Sequence, residues 1–155
     1  MSIKVDTAAL GDLPLFRDCD PVALKVLTFA AEKQEFATGE EITTFGKKAR
    51  AAFLILDGKA QIYEGEDYIA MAEAGALLGE VAMLASGPYS ITAKAYGTVM
   101  TLRISHELFL RVAGEFPEFG GKVLQNLGDR LGQHLRELEP IRAMLLKSRS
   151  FSDLA

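Results

Sequence analysis

The amino-acid sequence predicts a mainly β protein, an antiparallel barrel or sandwich with helices on either side of it. Short runs of β-favouring residues, separated by turn signals, fill the middle of the chain from Gln34 to Ile104. Apolar residues at helical spacing stand before this region once and after it twice. The order of the elements is therefore helix, strands, then helices.

The composition is that of one globular domain. The 155 residues are 49% apolar and 25% charged, which does not favour disorder. A net charge of −4 argues against non-specific DNA binding, because that binding needs Lys and Arg to neutralise phosphates. The one cysteine, Cys19, excludes an intrachain disulfide and a Cys-based metal cluster. No apolar run has the length of a signal peptide or a membrane span, so we expect a cytoplasmic chain without membrane contact.

The N-terminal helix is predicted to begin at Asp20-Pro21, an N-cap followed by proline at the first helical position. Leu24, Leu27 and Ala31 then fall three to four residues apart, and we expect them to pack inward. The apolar period changes after Gln34. Short extended pieces follow, separated by turn signals such as Thr38-Gly39-Glu40.

Two turn signals divide the longer β runs. Asp57-Gly58 stands between 52–56 and 59–63 and predicts a hairpin turn. Gly97-Thr98 stands between 91–96 and 99–104 and predicts another turn. Helical patterns then take over, with Ser105 as the N-cap of a helix over 106–114. A longer helix is predicted from Pro117 to about Glu139.

The most informative stretch is 76–92. A β-type run, Ala76-Leu77-Leu78, meets Gly79-Glu80, then one short apolar turn, then a loop closed by Gly87-Pro88. A strand that ends in glycine and turns into a helix presents free backbone N–H groups, and an anion is favoured there.

The order Gly79-Glu80-x-Ala82-x-Leu84, followed by Pro88-x-Ser90-x-Thr92, resembles the phosphate-binding cassette of the cyclic-nucleotide-binding domain family. The resemblance extends to Leu15-Phe16, to 39–42 and to 54–58, and covers roughly 13–138. It implies a double-stranded β-helix (jelly-roll) barrel with an N-terminal helix and two C-terminal helices. Residues 139–155 are then a C-terminal extension or tail.

The resemblance also implies a ligand site. In the family the glutamate, here Glu80, accepts a hydrogen bond from a ribose hydroxyl, and the glycine, here Gly79, lets the backbone approach the ligand. Amides near Val81 and Ala82 donate to the phosphate, and the Ser90 hydroxyl is a further donor. The implied ligand is cyclic AMP, cyclic GMP or another phosphate-containing anion, with no covalent cofactor. From the residues alone, Glu80 has a second explanation, since the helix dipole favours a carboxylate there by about 0.3–1 kcal/mol.

Tyr89 departs from the family pattern, which has an arginine at this position. Arginine gives a phosphate a charged, bidentate partner, whereas tyrosine gives one neutral hydroxyl. A charge-assisted hydrogen bond contributes about 1.5–3 kcal/mol, so its loss weakens affinity on the order of ten- to over a hundred-fold. Lys94 and Arg103 are out of phase with their apolar neighbours, and we expect them to face solvent. Two alternatives stay open: Arg130 or Arg136 reaches over the pocket, or the Tyr89 ring fills it.

The last predicted helix carries a leucine stripe that has two interpretations. Such a stripe most commonly packs into a core. In the transcription-regulator branch of the family the helix pairs with its twin, which implies a homodimer here. Gly128 and Gly132 lie beside the stripe and permit close approach. The stripe consists of Leu124, Leu127, Leu131, Leu135 and Leu138.

Catalysis and DNA reading are not expected. The two histidines, His106 and His134, lie in separate predicted helices, and no catalytic triad or P-loop motif occurs. The residues after Glu139 are too few for a helix-turn-helix domain. We therefore expect no enzyme and no metal site, but a regulatory domain in which ligand binding repositions the last helix for an unidentified protein partner. The alternative is a ligand-independent dimerisation or interaction module that has lost nucleotide binding.

Overall fold

The computed structural model of the protein describes residues 3–85 and 87–133, with side chains except at 3–5, 82 and 130–133. The helices are α1 (Ile3–Gly11), a 3-10 turn (Pro14–Phe16), α2 (Pro21–Ala30), α3 (Glu80–Leu84), α4 (His106–Glu115) and α5 (Pro117–Gln133). The strands are β1 (Glu32–Phe36), β2 (Glu41–Thr43), β3 (Lys48–Ala49), β4 (Ala51–Glu64), β5 (Asp67–Ala72), β6 (Leu77–Leu78), β7 (Gly87–Pro88) and β8 (Thr92–Ser105).

The strands form an antiparallel architecture around two long members. Strand order in the main sheet is β1-β8-β4-β5, with β2 added to β8 and β6 added to β4. Strands β3 and β7 form a separate two-stranded sheet. The predicted fold class, mainly β with flanking helices, is confirmed. Within the described residues the hydrogen-bonded strands do not close into a complete barrel.

The two predicted turns at Gly58 and Gly97 are wrong as turns, because both glycines lie inside continuous strands. Strand β4 pairs with β8 from Ala51↔Ser105 to Tyr63↔Thr92, with register shifts on either side of Asp57. Gly58 and Gly97 have φ values of 100° and 78°, which a residue with a side chain rarely adopts. Each strand therefore bends at its glycine instead of reversing.

The first half of β4 is buried on both faces, and it separates two apolar cores. Ala52 and Leu54 point to one core, which the helices cover, while Ala51, Phe53 and Ile55 point to the other, which lies within the strands. Alternate residues of a strand point to opposite faces, so one segment serves both cores.

The helix starts match the sequence-based predictions. The Asp20 carboxylate accepts a hydrogen bond from the Val22 N–H at 2.9 Å, and the Ser105 hydroxyl accepts one from the Leu108 N–H at 3.0 Å. Leu24 and Leu27 are buried as expected, and Ala31 packs against the same core. Replacing such N-caps with alanine typically costs about 1 kcal/mol.

Helix α1 precedes the predicted domain start at residue 13, and that boundary stays a prediction. Leu10 of α1 is fully buried in the helix-covered core. Its Asp6 is also buried and forms a salt bridge with Lys33 of β1 at 3.4 Å. The helix thus contributes to the packing of the same folded unit.

Helix α5 takes part in the core of its own chain. Phe119, Val123 and Asn126 are buried, and Leu127 packs partly against the same core. Leu124, in contrast, is 59% exposed. The core interpretation therefore holds for Leu127, while Leu124 remains available to a partner. The side chain of Leu131, together with Leu135 and Leu138, lies outside the described residues.

Asn126 ties α5 to the turn before α2, and its removal is expected to destabilise the fold. Its Nδ2 group donates to the carbonyls of Leu15 and Arg17, both at 2.9 Å. Asn126→Ala leaves both carbonyls without this donor, and we expect a loss of about 2–4 kcal/mol in the free energy of unfolding. Urea denaturation measures it. Gln125→Ala, at the exposed neighbouring position, is the control, and equal losses in the two variants would contradict the assignment.

Candidate functional site

The strand–turn–helix predicted at Gly79 is present. Strand β6 ends at Leu78, Gly79 adopts the left-handed conformation with φ 69° and ψ 37°, and α3 begins at Glu80. A Cβ on residue 79 would lie 2.8 Å from Cε1 of the Tyr89 ring. Both the backbone angle and this contact require glycine here.

Five of the six predicted site residues line one cavity. They are Gly79, Glu80, Val81, Tyr89 and Ser90, around a volume of about 300 Å³. The sixth, Ala82, lies in α3, and its side chain is outside the described set. This volume, which we call the cassette cavity, is at the lower end of the range for small-molecule pockets, about 300–1,000 Å³. The other lining residues are Ala49, Leu77, Ala85, Gly87, Pro88 and Ile91.

The backbone of Tyr89 is held on both sides. Its N–H donates to the Lys47 carbonyl at 2.9 Å, and its carbonyl accepts from the Gly46 N–H at 3.0 Å. The neighbouring strands β3 and β7 pair at Lys48↔Pro88 and Ala49↔Gly87. The position of residue 89 is thus set by main-chain contacts that do not depend on its side chain.

The Tyr89 side chain spans from the cassette cavity to the start of β4. Its hydroxyl donates to the Ala51 carbonyl at 2.6 Å, while its ring lies against Gly79. The ring therefore occupies part of the space beside the cassette turn but leaves the cavity open. Sequence reasoning missed Ala51 as the partner, because a main-chain acceptor leaves no signal in residue type.

The cassette cavity has little positive charge. Among the described residues that line it, Glu80 is the charged one, and no lysine or arginine contributes. Lys94, expected to face solvent, lies 5.2 Å from the centre of the Tyr63 ring. Arg103 is half-buried, contrary to the same expectation, and its charge acts on the Tyr89 hydroxyl. The side chain of Arg130, like the whole of Arg136, lies outside the described residues.

The sequence profile of the cyclic nucleotide-binding domain matches residues 33–115, more than half of the chain. The chain belongs to this family. The resemblance carried by the cassette is thereby confirmed, and so is its element order. Domains of this family are regulatory rather than catalytic. No group of His, Cys, Asp or Glu arranged to hold a metal occurs in 3–85 and 87–133.

Three comparisons show what the chain is similar to. A cyclic nucleotide-binding-like protein of Brucella abortus has a solved structure with 31% identity and a TM-score of 0.66, over 71% of this chain and 98% of that one. The cAMP-dependent protein kinase regulatory subunit of Hypocrea atroviridis is 26% identical over 68% of this chain and 23% of its own length. The cGMP-dependent protein kinase 2 of Mus musculus is 22% identical over 70% of this chain and 14% of its own length.

The chain thus spans about a quarter or less of the curated relatives that it matches. The matched part in each case is a module within a larger protein. As to membranes, none of the helices in the described ranges has the length and hydropathy needed to cross one.

The ionisation of Tyr89 is expected to reduce stability at high pH. Burial raises the pKa of the Tyr89 phenol above its ordinary value, and Arg103 partly opposes the rise. Above pH about 10 the unfolded chain ionises first, so the free energy of unfolding falls as pH rises towards the folded-state pKa. Urea midpoints at about pH 8 and pH 11 measure this fall.

Tyr89→Phe is the matched variant for this test. It keeps the ring against Gly79 and removes the bond to Ala51, so we expect a loss of about 1 kcal/mol at pH 8 and a smaller further loss at high pH. The same alkaline fall in wild type and Tyr89→Phe would assign the effect to another group. An absorbance titration near 295 nm should show one fewer late-ionising phenol in the variant.

Proposed function

We propose that the chain is a regulatory domain, over 13–138, whose cassette cavity binds a phosphate-bearing ligand with an affinity lowered by Tyr89. The single observation that carries the proposal is the convergence of Gly79, Glu80, Tyr89 and Ser90 on one open cavity. Residues 139–155 are taken as an extension of this domain. The relatives named for dependence on cAMP and cGMP make these two nucleotides the first ligands to test.

In this proposal Tyr89 stands at the cassette position where the family has arginine. Glu80 accepts a ribose hydroxyl, and the amides of Val81 and Ala82, with the Ser90 hydroxyl, donate to the phosphate. The Tyr89 hydroxyl is engaged with Ala51, so a contact to ligand requires that hydrogen bond to break, at a cost of about 1 kcal/mol. Of the described lining, neutral donors and Glu80 then face an anionic ligand, which is the physical reason for weak binding in this proposal.

Contacts between neighbouring elements support a mechanism in which ligand binding repositions the last helix. The His106 Nδ1–H donates to the Met83 carbonyl at 2.9 Å, which joins α3 to α4. Helix α5 packs closely on α4, since a Cβ on Gly120 would lie 2.9 Å from the Ala113 Cβ. A shift of α3 on ligand binding would therefore press on α4 and then on α5. We propose that a protein partner responds to the position of α5.

Calorimetric titration with cyclic AMP and cyclic GMP tests the ligand and the role of Tyr89 together. Tyr89→Arg restores a bidentate cation, and we expect cyclic-nucleotide affinity to rise at least about tenfold over wild type. Tyr89→Gln removes the ring without adding charge and is the matched control. We expect it to stay close to wild type, because the missing element is charge.

Two outcomes would count against the proposal. If Tyr89→Arg and Tyr89→Gln bind equally well, the ring and not the missing charge limits affinity. If a folded Tyr89→Arg protein binds neither nucleotide, the cassette cavity is not a cyclic-nucleotide site. Circular dichroism checks the folding of each variant.

The second candidate function is a ligand-independent interaction module, and the exposed Leu124 favours it. Leu124 is 59% exposed on α5, and a Cβ on the nearby Gly128 would meet nothing within 4 Å. An apolar side chain beside an open backbone suits close approach of a second α5. In this candidate the chain is a homodimer whose seam includes Leu124, with Leu131, Leu135 and Leu138 continuing the stripe.

Leu124→Glu tests the homodimer. The position is exposed in the protomer, so the fold should tolerate the carboxylate, whereas a dimer seam should not. We expect wild type to be dimeric at micromolar concentration by light scattering, and Leu124→Glu to be monomeric with unchanged thermal unfolding. Gln125→Glu adds the same charge one residue away and should remain dimeric. A monomeric wild type, or a dimeric Leu124→Glu, would remove this assembly.

A further inference from the structure

A second concave site lies beside the cassette cavity, and cationic side chains line it. A groove of about 550 Å³ lies at the start of α4. Its lining includes Lys48, Arg50, Arg103 and His106, together with Ala49 and Ser105. We call it the basic groove. Ala49 lines both it and the cassette cavity, so the two sites are neighbours separated by the start of β4.

Within the described residues, no salt bridge neutralises the charges in the basic groove. In the described part of the chain the salt bridges are Lys33–Asp6 and Lys59–Glu73, and neither involves a groove residue. Glu32 and Glu107, both exposed, also line the groove. With three permanent cations against two carboxylates, the groove is locally positive on a chain whose net charge is −4.

The number of these donors suits a phosphate better than a halide or a carboxylate, because a phosphomonoester has three free oxygens and a carboxylate has two. Two guanidinium groups each offer a planar fork that matches two phosphate oxygens, and a lysine ammonium adds a third donor. The volume exceeds what a free phosphate ion needs and lies within the range of small-molecule pockets, about 300–1,000 Å³. We propose that the basic groove binds the phosphate of a phosphomonoester of about nucleoside-monophosphate size.

The basic groove has a direct connection to the cassette. The His106 N–H donates to the Arg50 carbonyl at 2.8 Å, and its ring Nδ1–H donates to the Met83 carbonyl of α3 at 2.9 Å. Arg103 also acts on the Tyr89 hydroxyl across the start of β4. A phosphate held by Arg50 and Arg103 would lie beside His106, and it would therefore perturb the environment of α3 without entering the cassette cavity.

Titration by ¹⁵N NMR at constant ionic strength tests this site, with inorganic phosphate, AMP and adenosine as probes. We expect saturable shifts of the Arg50 and His106 amides with phosphate and AMP, smaller shifts at Met83, and none with adenosine. AMP should bind more tightly than phosphate, since the groove has room for the attached group. Shifts that rise linearly without saturation would overturn the site.

Charge-removing variants separate a specific site from a general effect of net charge. Arg103→Gln should weaken phosphate binding by about fivefold or more, whereas Arg17→Gln, exposed and outside the groove, should change it less than about twofold. Arg50→Gln, at an exposed position, gives the same test if Arg103→Gln fails to fold. Equal effects of groove and control variants would overturn the proposal.

The outcome is independent of the proposed cassette function. Ser90→Ala removes a proposed phosphate donor from the cassette cavity and leaves the groove cations in place, so the phosphate-dependent shifts should persist in that variant. A failure of cyclic nucleotides to bind in the calorimetric titrations would not contradict the proposed phosphate site in the basic groove. Loss of the phosphate shifts in Ser90→Ala would place phosphate in the cassette cavity and contradict a separate groove site.

Discussion

The pairing of β4 with β8 is the constraint on which the rest of the structure depends. The two strands stay paired from Ala51↔Ser105 to Tyr63↔Thr92, through a bend in each. At the bend a Cβ on Gly58 would lie 2.5 Å from the Thr98 carbonyl oxygen, so the strands can meet there only with glycine. One end of the pair provides Ala51 for Tyr89 and Ser105 for the start of α4. At the other end Thr92 follows directly on the cassette.

Within that frame the Tyr89 hydroxyl has a hydrogen-bond acceptor in its own chain. A partly buried phenol needs an acceptor, and the Ala51 carbonyl provides it at 2.6 Å. An arginine at this position would find no carboxylate partner from the described lining except Glu80. The hydroxyl of Tyr89 is therefore hydrogen-bonded without a ligand. The charge of an arginine at this position would instead be paired by Glu80 or by an anionic ligand. The residue at position 89 therefore bears on both proposed functions, the ligand-binding regulatory domain and the ligand-independent interaction module.

Local signals predicted much of the fold, since caps and turns are short-range chemistry. Asp20 and Ser105 could be placed because a carboxylate and a hydroxyl commonly cap a helix start. Gly79 could be placed because a glycine between a β-type run and a helical run marks a turn. The glycines at 58 and 97 could not, because positive φ serves a hairpin and a bent strand equally. Only the long-range pairing with the other strand distinguishes the two cases.

The sequence also predicted part of the candidate site. The resemblance named five of the eleven residues that line the cassette cavity, but neither Ala51 nor the basic groove has a sequence signal. Arg103 was expected to face solvent from strand phase alone. Its cross-strand neighbours are Glu32 of β1 and Phe53 of β4, which are far from it in sequence.

The cassette and the start of α4 are joined in a closed circuit of contacts. The carbonyls of Arg50 and Ala51, adjacent in β4, accept from the His106 N–H and the Tyr89 hydroxyl respectively. His106 continues to Met83 of α3, and Tyr89 returns to α3 through Gly79. Closely packed elements move together, because there is no free volume between them. In the proposed mechanism, a ligand on either side of this circuit would act on the same short helix, α3, and α4 would carry the displacement towards α5.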